Sequence, residues 1–252
     1  MGIVEITEHI DALRRDGSML ADAAERAGLD ADVPPCAPWR VKDLLRHTGY
    51  IHRWAARHIA ECPDRVLDGP PEAEILRGGA ADEELPAWFR AGHAALVETL
   101  RSADPGLECA TFMDAPSPLA FWARRQAHEI AIHRCDADLA NGNLGAIAAD
   151  LAADGVNEYF ELLLLMPAVQ AITGTGETVH FHCTDREVEW VAELTPDGVA
   201  LRPDHAKGDV AVRGSANALF LLVWNRIGPD NPELEVFGDR ALLDRWLRLT
   251  GI

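Results

Sequence analysis

At Asn141-Gly142-Asn143-Leu144-Gly145 the chain changes its hydrophobic period, and that change limits the folds open to it. Upstream, apolar residues recur every three or four positions, the spacing of a helix with one buried face. The first such segment runs from about Ile3 to Gly28 and carries Ile6, Ile10, Leu13, Leu20 and Ala24. The turn-rich residues 30–38 follow, and a second helix is expected from Trp39 to Glu61, with Pro63 beyond its end. A third is expected from Glu84 to Ala103 and a fourth from Pro118, just after Ser117, to Ala140. Four helices of this length suffice for one bundle over residues 1–143. The Gly-, Pro- and acid-rich residues 64–82 and the irregular residues 104–117 make long connections, so the topology need not be simple up-and-down.

Downstream of the turn the pattern mixes a helix (Ala146 to Met166, stopped by Pro167) with alternating runs typical of strands. Val179, Phe181 and Cys183 alternate with His180 and His182, and Val188, Trp190, Ala192 and Leu194 alternate with Glu187, Glu189, Val191 and Glu193. Thr195-Pro196-Asp197-Gly198 has turn chemistry, and short strands are expected at Val199–Arg202, Asp209–Val212 and Leu234–Phe237. Ser215 is placed to cap a helix reaching Asn225, and Asp239 a last helix ending at Leu249. Residues 144–252 therefore read as a smaller α+β domain centred on an antiparallel sheet.

The 252 residues carry 23 Lys and Arg against 41 Asp and Glu, a formal charge of −18. That field disfavours nucleic acid and anionic membrane as partners. Cys36, Cys62, Cys109, Cys135 and Cys183 are scattered, with no C-x-x-C, which suits a reducing compartment better than a disulfide framework. The apolar run from Leu162 to Met166 is too short to span a bilayer, and no charged-then-apolar leader is seen at the start. A cytoplasmic protein, monomeric or homodimeric, is expected. There is no P-loop, no G-x-S-x-G and no G-x-G-x-x-G opening a helix.

The chemistry is concentrated on the fourth helix. Glu129 and His133 are four apart, so a carboxylate and an imidazole share one face, in a stripe with Trp122, Gln126 and Asp136. Alone, E-x-x-x-H also describes a solvated pair on many surface helices. On the second helix His47 lies in a stripe of Leu44, Ile51, Trp54 and His58, where it is either a hydrogen-bonded core histidine or an inward ligand. A carboxylate and an imidazole buried without partners would be costly, and a divalent ion satisfies both. His47, Glu129 and His133 are thus a candidate three-residue metal site of the kind that leaves a coordination position open. His128 competes as a ligand but sits on the face of Phe121, Arg125, Ile132 and Cys135. His180 and His182 share a strand face with no carboxylate evident beside them and read as exposed or substrate-side residues. Cys135 reads as a packing residue.

Several segments together resemble one family. Trp39-Arg40-Val41-Lys42-Asp43-Leu44-Leu45-Arg46-His47 and the residues from Arg124 to Asp136 are similar to the mycothiol-dependent maleylpyruvate isomerase family, whose N-terminal domain is a DinB-like metal-binding four-helix bundle. Residues 149–158, 180–185, 209–214 and 235–246 match its C-terminal domain, which resembles sterol carrier proteins. The resemblance implies zinc, or another divalent metal, on His47, Glu129 and His133, and mycothiol as a thiol cosubstrate bound between the domains. It further implies an isomerase or thiol transferase in which a thiolate adds to an electrophilic small molecule such as maleylpyruvate. Arg226 is the position matched to an arginine that assists there; it also reads as a helix-end residue at the negative pole of the dipole. Two other functions stand beside this one: a zinc-dependent hydrolase, and a non-catalytic metal- or small-ligand-binding protein.

Overall fold

The computed structural model describes residues 4–250, and the expected helix start at Ile3 lies outside them. The chain divides into two compact units, Val4–Gly145 and one that begins at Ala146.

The first unit is built on four long helices: α1 (Ile6–Ala27), α2 (Val41–Glu61), α4 (Leu85–Ser102) and α5 (Pro118–Ala140), with a short turn of helix, α3 (Glu72–Ile75), and a 3-10 turn (Asp82–Glu84) in the connection between α2 and α4. α5 starts where Ser117 Oγ accepts the Ala120 N–H at 3.1 Å, satisfying one of the free amides at the helix start. α2 begins two residues later than the sequence pattern suggests. The Asp43 carboxylate accepts the Arg40 N–H at 2.9 Å, and Trp39 is held outside the helix by the Val33 N–H, which donates to its carbonyl at 2.9 Å.

α1 packs against α5 and α4, and α2 against α4 and α5. Leu13, Leu20, Leu44, Leu45, Phe89, Leu96 and Trp122 fill the shared core. Burying each such side chain contributes roughly 1.5–3 kcal/mol. Gly17 permits the close approach of α1 to α4, because a Cβ there would stand 2.2 Å from the His93 ring.

α5 differs from its neighbours in being enclosed on almost every side although it is rich in polar residues: Arg125, Gln126, His128, His133, Arg134, Asp136 and Asp138 are all buried. Most groups of this kind in a core are paired. Arg134 shows the pattern: it is completely buried, and its guanidinium meets Asp138 at 2.8 Å and Asp16 of α1 at 3.5 Å.

The second unit contains α6 (Ala149–Leu165), α7 (Pro167–Gln170), β1 (Glu177–Cys183), β2 (Glu189–Thr195), β3 (Gly198–Arg202), β4 (Val210–Gly214), α8 (Ala216–Val223), β5 (Leu234–Gly238) and α9 (Arg240–Thr250). The five strands form one sheet in the order β3-β2-β1-β4-β5. Gly198, at φ 129°, closes the β2–β3 hairpin. Three pairings are antiparallel as expected, but β1 and β4 run parallel. The sheet is therefore mixed and mostly antiparallel. Residue alternation reports which face a side chain takes and says nothing about the direction of the neighbouring strand.

One face of the sheet carries Val179, Phe181, Trp190, Ala192 and Leu194, with Phe160 of α6 5.4 Å from Phe181 and Trp246 of α9 6.4 Å from it. His180, His182, Glu189, Val191 and Glu193 share the opposite face. Ser215 Oγ caps α8 by accepting the Ala218 N–H at 3.2 Å, and the Asp239 carboxylate accepts the Ala241 N–H at 2.9 Å at the start of α9. All five cysteines are free thiols. Among the described residues no helix is long and apolar enough to cross a membrane.

Candidate metal centre

Helix geometry brings Glu129 and His133 together one turn apart on α5, and packing of α2 against α5 carries His47 to the same point. His47 Nε2 lies 3.2 Å and His133 Nε2 3.3 Å from Glu129 Oε1. The two imidazole rings meet edge-on, 5.0 Å apart. One donor atom from each of the three residues lies within 4.8 Å of the other two. The side chains of His47, Glu129 and His133 are 18%, 16% and 10% exposed, so the centre is screened but reachable.

A surrounding layer orients each donor. Arg125, four residues before Glu129, pairs with the other carboxylate oxygen, Oε2, and leaves Oε1 facing the two imidazoles. His133 Nδ1 is 2.9 Å from Oδ2 of the fully buried Asp136, which directs Nε2 toward Glu129. This carboxylate–imidazole pairing is the usual support behind a metal-binding histidine. Cys36 Sγ donates to the same Asp136 oxygen at 3.3 Å, and the Trp39 ring covers His47 at 4.9 Å between centroids. Both come from the loop between α1 and α2, folded tightly by the Val33–Trp39 and Trp39–Cys36 backbone hydrogen bonds.

The electrostatics follow from these contacts. Burial pushes the Glu129 carboxyl up, but the Arg125 charge and hydrogen bonds from His133 and His47 outweigh it and hold the group well below the usual carboxylate range. Burial likewise pushes His133 down, and its hydrogen bonds to Asp136 and Glu129 more than reverse this, raising it to about 9. Two carboxylates therefore hold a positive charge on His133. The same donors suit a divalent cation: two imidazole nitrogens and a carboxylate oxygen are the ordinary ligands of catalytic zinc, and an ion at this point would take the place of the His133 proton.

The other residues singled out in the sequence fall elsewhere. His58, on the same α2 stripe as His47, is a satisfied core histidine: Nδ1 bonds Trp54 O and Nε2 accepts the Leu67 N–H, both at 2.9 Å. His128 is fully buried against His9 of α1, with ring centroids 5.7 Å apart. Cys135 is buried, and burial pushes its thiol up to about 12, which leaves it a packing residue. Arg226 belongs to the second unit, just beyond α8, where Nη1 donates to Trp224 O at 2.6 Å. Arg125, Cys36 and Trp39 are additions the sequence reading missed. Arg125 had a usable signal, since residues 125, 129 and 133 continue one i, i+4 ladder; the loop residues had none.

Comparison with known proteins gives the same family for both units. The family described as "Mycothiol maleylpyruvate isomerase N-terminal domain" matches residues 10–138. The one described as "MDMPI C-terminal domain" matches residues 136–245. The structure is similar to the crystal structure of the mycothiol-dependent maleylpyruvate isomerase, at 16% identity and a TM-score of 0.59, with 92% of each chain covered. A mutant of that enzyme gives the same values. At this identity the likeness speaks for the fold. No curated protein matches the chain.

Proposed function

The chain belongs to the mycothiol maleylpyruvate isomerase family, and from that premise we propose a metal-dependent isomerase or thiol transferase. It would use mycothiol as cosubstrate and act on an electrophilic small molecule of the maleylpyruvate type. The observation that carries this reading is the convergence of His47 Nε2, Glu129 Oε1 and His133 Nε2 on one partly open point.

In this reading His47, Glu129 and His133 hold a divalent ion, with zinc favoured by the donor set. When bound, zinc lowers the pKa of a thiol, so that it is available as thiolate at neutral pH. Arg125 keeps Glu129 turned so that one oxygen is presented. Asp136 fixes the tautomer and ring plane of His133, and Trp39 supplies an apolar wall beside His47. A divalent charge in place of the His133 proton, taken with Arg125, Glu129 and Asp136, leaves one positive charge in surplus. That balance favours an anionic fourth partner, as a thiolate is.

The isomerisation itself is redox-neutral. The thiolate sulfur adds to one carbon of a conjugated cis double bond and the electron pair moves into the adjoining carbonyl. The resulting carbon–carbon single bond rotates, and the pair returns to expel the thiolate and leave the trans alkene. Arg226 is the proposed clamp for a substrate carboxylate, a role suited to the planar guanidinium fork.

The test is metal analysis coupled to a mycothiol titration. His47→Ala and Glu129→Gln should each remove one equivalent of zinc, and mycothiol should bind the zinc form more tightly than the metal-free chain. Retention of that equivalent in both variants would overturn the centre. Loss of zinc without any mycothiol binding would instead favour a ligand-binding protein, and turnover without thiol a hydrolase.

A further inference from the structure

A second histidine–carboxylate cluster is built on the sheet. The two-residue period of β1 puts His180 and His182 on the face opposite Val179 and Phe181. The antiparallel register of β1 with β2 then sets Glu189 directly opposite His182 and diagonal to His180. His180 Nε2 lies 2.7 Å from Glu189 Oε2, and His182 Nδ1 3.0 Å from Oε1. From the loop after β3, His205 Nδ1 reaches both carboxylate oxygens at 2.9 Å. Three imidazoles thus aim at one carboxylate.

We propose that His180, His182 and Glu189 form a second site for a divalent transition-metal ion, with His205 as a fourth donor from the loop. Donor atoms of the first three lie within 4.8 Å of one another. Tetrahedral zinc with bonds of 2.0–2.1 Å places its ligand atoms about 3.3 Å apart, so the imidazole–carboxylate spacings of 2.7–3.0 Å need to open by only a few tenths of an ångström, while the imidazole nitrogens turn toward one another around the ion.

The nearby cations do not compete for Glu189. Arg186 pairs with Asp150, and Arg202 meets Glu193 and Asp204. Burial pushes the Glu189 carboxyl up, but its hydrogen bonds to His205 and His180 prevail and hold it below the usual range, so it is the charged form that is presented. The cluster also has access: His182, Glu189 and His205 line an open cleft of about 1000 Å³ together with Asn157, Asp185 and Arg186. Nitrogen-rich ligation of this kind selects zinc, copper or nickel over magnesium or calcium.

The site does not depend on the bundle centre, and one experiment separates the two. The full chain is stripped with a chelator and titrated with zinc, and bound zinc is counted. Wild type should take two equivalents. His182→Ala and Glu189→Gln should each take one, His47→Ala one, and the His47→Ala/Glu189→Gln double variant none. In the His47→Ala background, cobalt(II) in place of zinc should give visible bands of a nitrogen- and oxygen-ligated ion, and Glu189→Gln should abolish them.

Glu189→Gln keeps the size of the side chain, and circular dichroism checks that it folds. Zinc stoichiometry unchanged in both His182→Ala and Glu189→Gln would overturn the second site. So would a single wild-type equivalent that disappears with His47→Ala; in that case the bundle centre would stand. One equivalent that survives His47→Ala and is lost in Glu189→Gln would support the sheet site and remove the bundle centre.

Discussion

In the bundle, Glu129 meets His133 one turn along the same helix and His47 from the helix packed beside it; in the sheet, Glu189 meets His182 across a strand pair and His180 on the diagonal. The side-chain types are the same, and their support differs. Around the first cluster the fully buried Asp136, the buried Arg125 and the Trp39 ring position the donors, and none of the side chains of His47, Glu129 and His133 is more than 18% exposed. Around the second the backbone register does most of the positioning, and the last donor, His205, is 86% exposed. Ligands locked by packing and a second layer of hydrogen bonds are preorganised, and they lose little conformational freedom when an ion arrives. The bundle centre should therefore bind the same ion more tightly, and the sheet cluster more weakly and adaptably.

The largest effect should come from removing a bundle ligand. His133→Ala deletes one donor of three and leaves Glu129 and Asp136 facing each other without their shared partner. Zinc affinity there should fall by more than the factor of roughly 10–100 typical of lost outer support, as read by competition with a chelator of known strength. The sheet cluster, titrated in the same variant, should be unchanged; a parallel loss at both would dissolve the distinction between them.

Next in size is the outer layer itself. Asp136→Asn keeps the shape of the side chain and removes the charge that orients His133, so bundle affinity should weaken by roughly 10–100-fold. The sheet cluster has no comparable buried carboxylate behind its histidines among the described residues, and no single outer-layer change there should match that loss. Equal zinc affinity in Asp136→Asn and wild type would show that the bundle centre owes nothing to preorganisation.

Acid and base should separate the two units next. His52 on α2 is fully buried, and neither ring nitrogen has a hydrogen-bond partner among the described residues. Burial, aided by neighbouring His93, lowers it well below the ordinary 6.5. The unfolded chain therefore binds the His52 proton first, and the bundle loses stability as pH falls below 6.5. His133 acts in the other direction: raised to about 9, its contribution is complete below 6.5 and is lost as pH rises through 9. The metal-free bundle should be most stable near pH 6.5.

In the sheet unit Glu189 lies below its ordinary 4.5, so its contribution is complete above that value and fades only in stronger acid. Hydrogen exchange followed peptide by peptide from pH 5 to 8.5, corrected for intrinsic rates, should show a peak in protection for α2 and α5, whereas Glu189 adds no such peak in β1 and β2 over that range. The same profile in both units would contradict this assignment of charges.

How much of this can be read without coordinates depends on which backbone carries the residues. Glu129 and His133 are four apart in one helix, so their shared face follows from the 3.6-residue turn alone, and Ser117 and Pro118 mark where that helix starts. His47 needed one further step, its apolar stripe, because the stripe also holds His58, which proves to be a purely structural histidine. The pair His180 and His182 was equally plain from alternation. Its carboxylate was not, because Glu189 joins it only through the β1–β2 register, which the alternation of each strand leaves undetermined. For the same reason the parallel β1–β4 pairing replaced part of the expected antiparallel sheet. Cys36 and Trp39 come to the centre through a loop conformation that no periodicity encodes.

The smallest expected effect probes the loosest donor. His205→Ala removes a side chain that is almost fully exposed, so folded stability should move by less than about 0.5 kcal/mol. If His205 contributes the fourth bond in the sheet cluster, zinc affinity there should still fall, but by no more than about tenfold. Holding an exposed side chain in place costs roughly 0.5–1.5 kcal/mol, which offsets much of what the bond contributes. His182→Ala should be several times worse, because strand pairing already orders His182 and no such cost is recovered when it is lost. An effect of His205→Ala equal to that of His182→Ala would mean that the loop is held as firmly as the strand, and that the sheet cluster is as preorganised as the centre in the bundle.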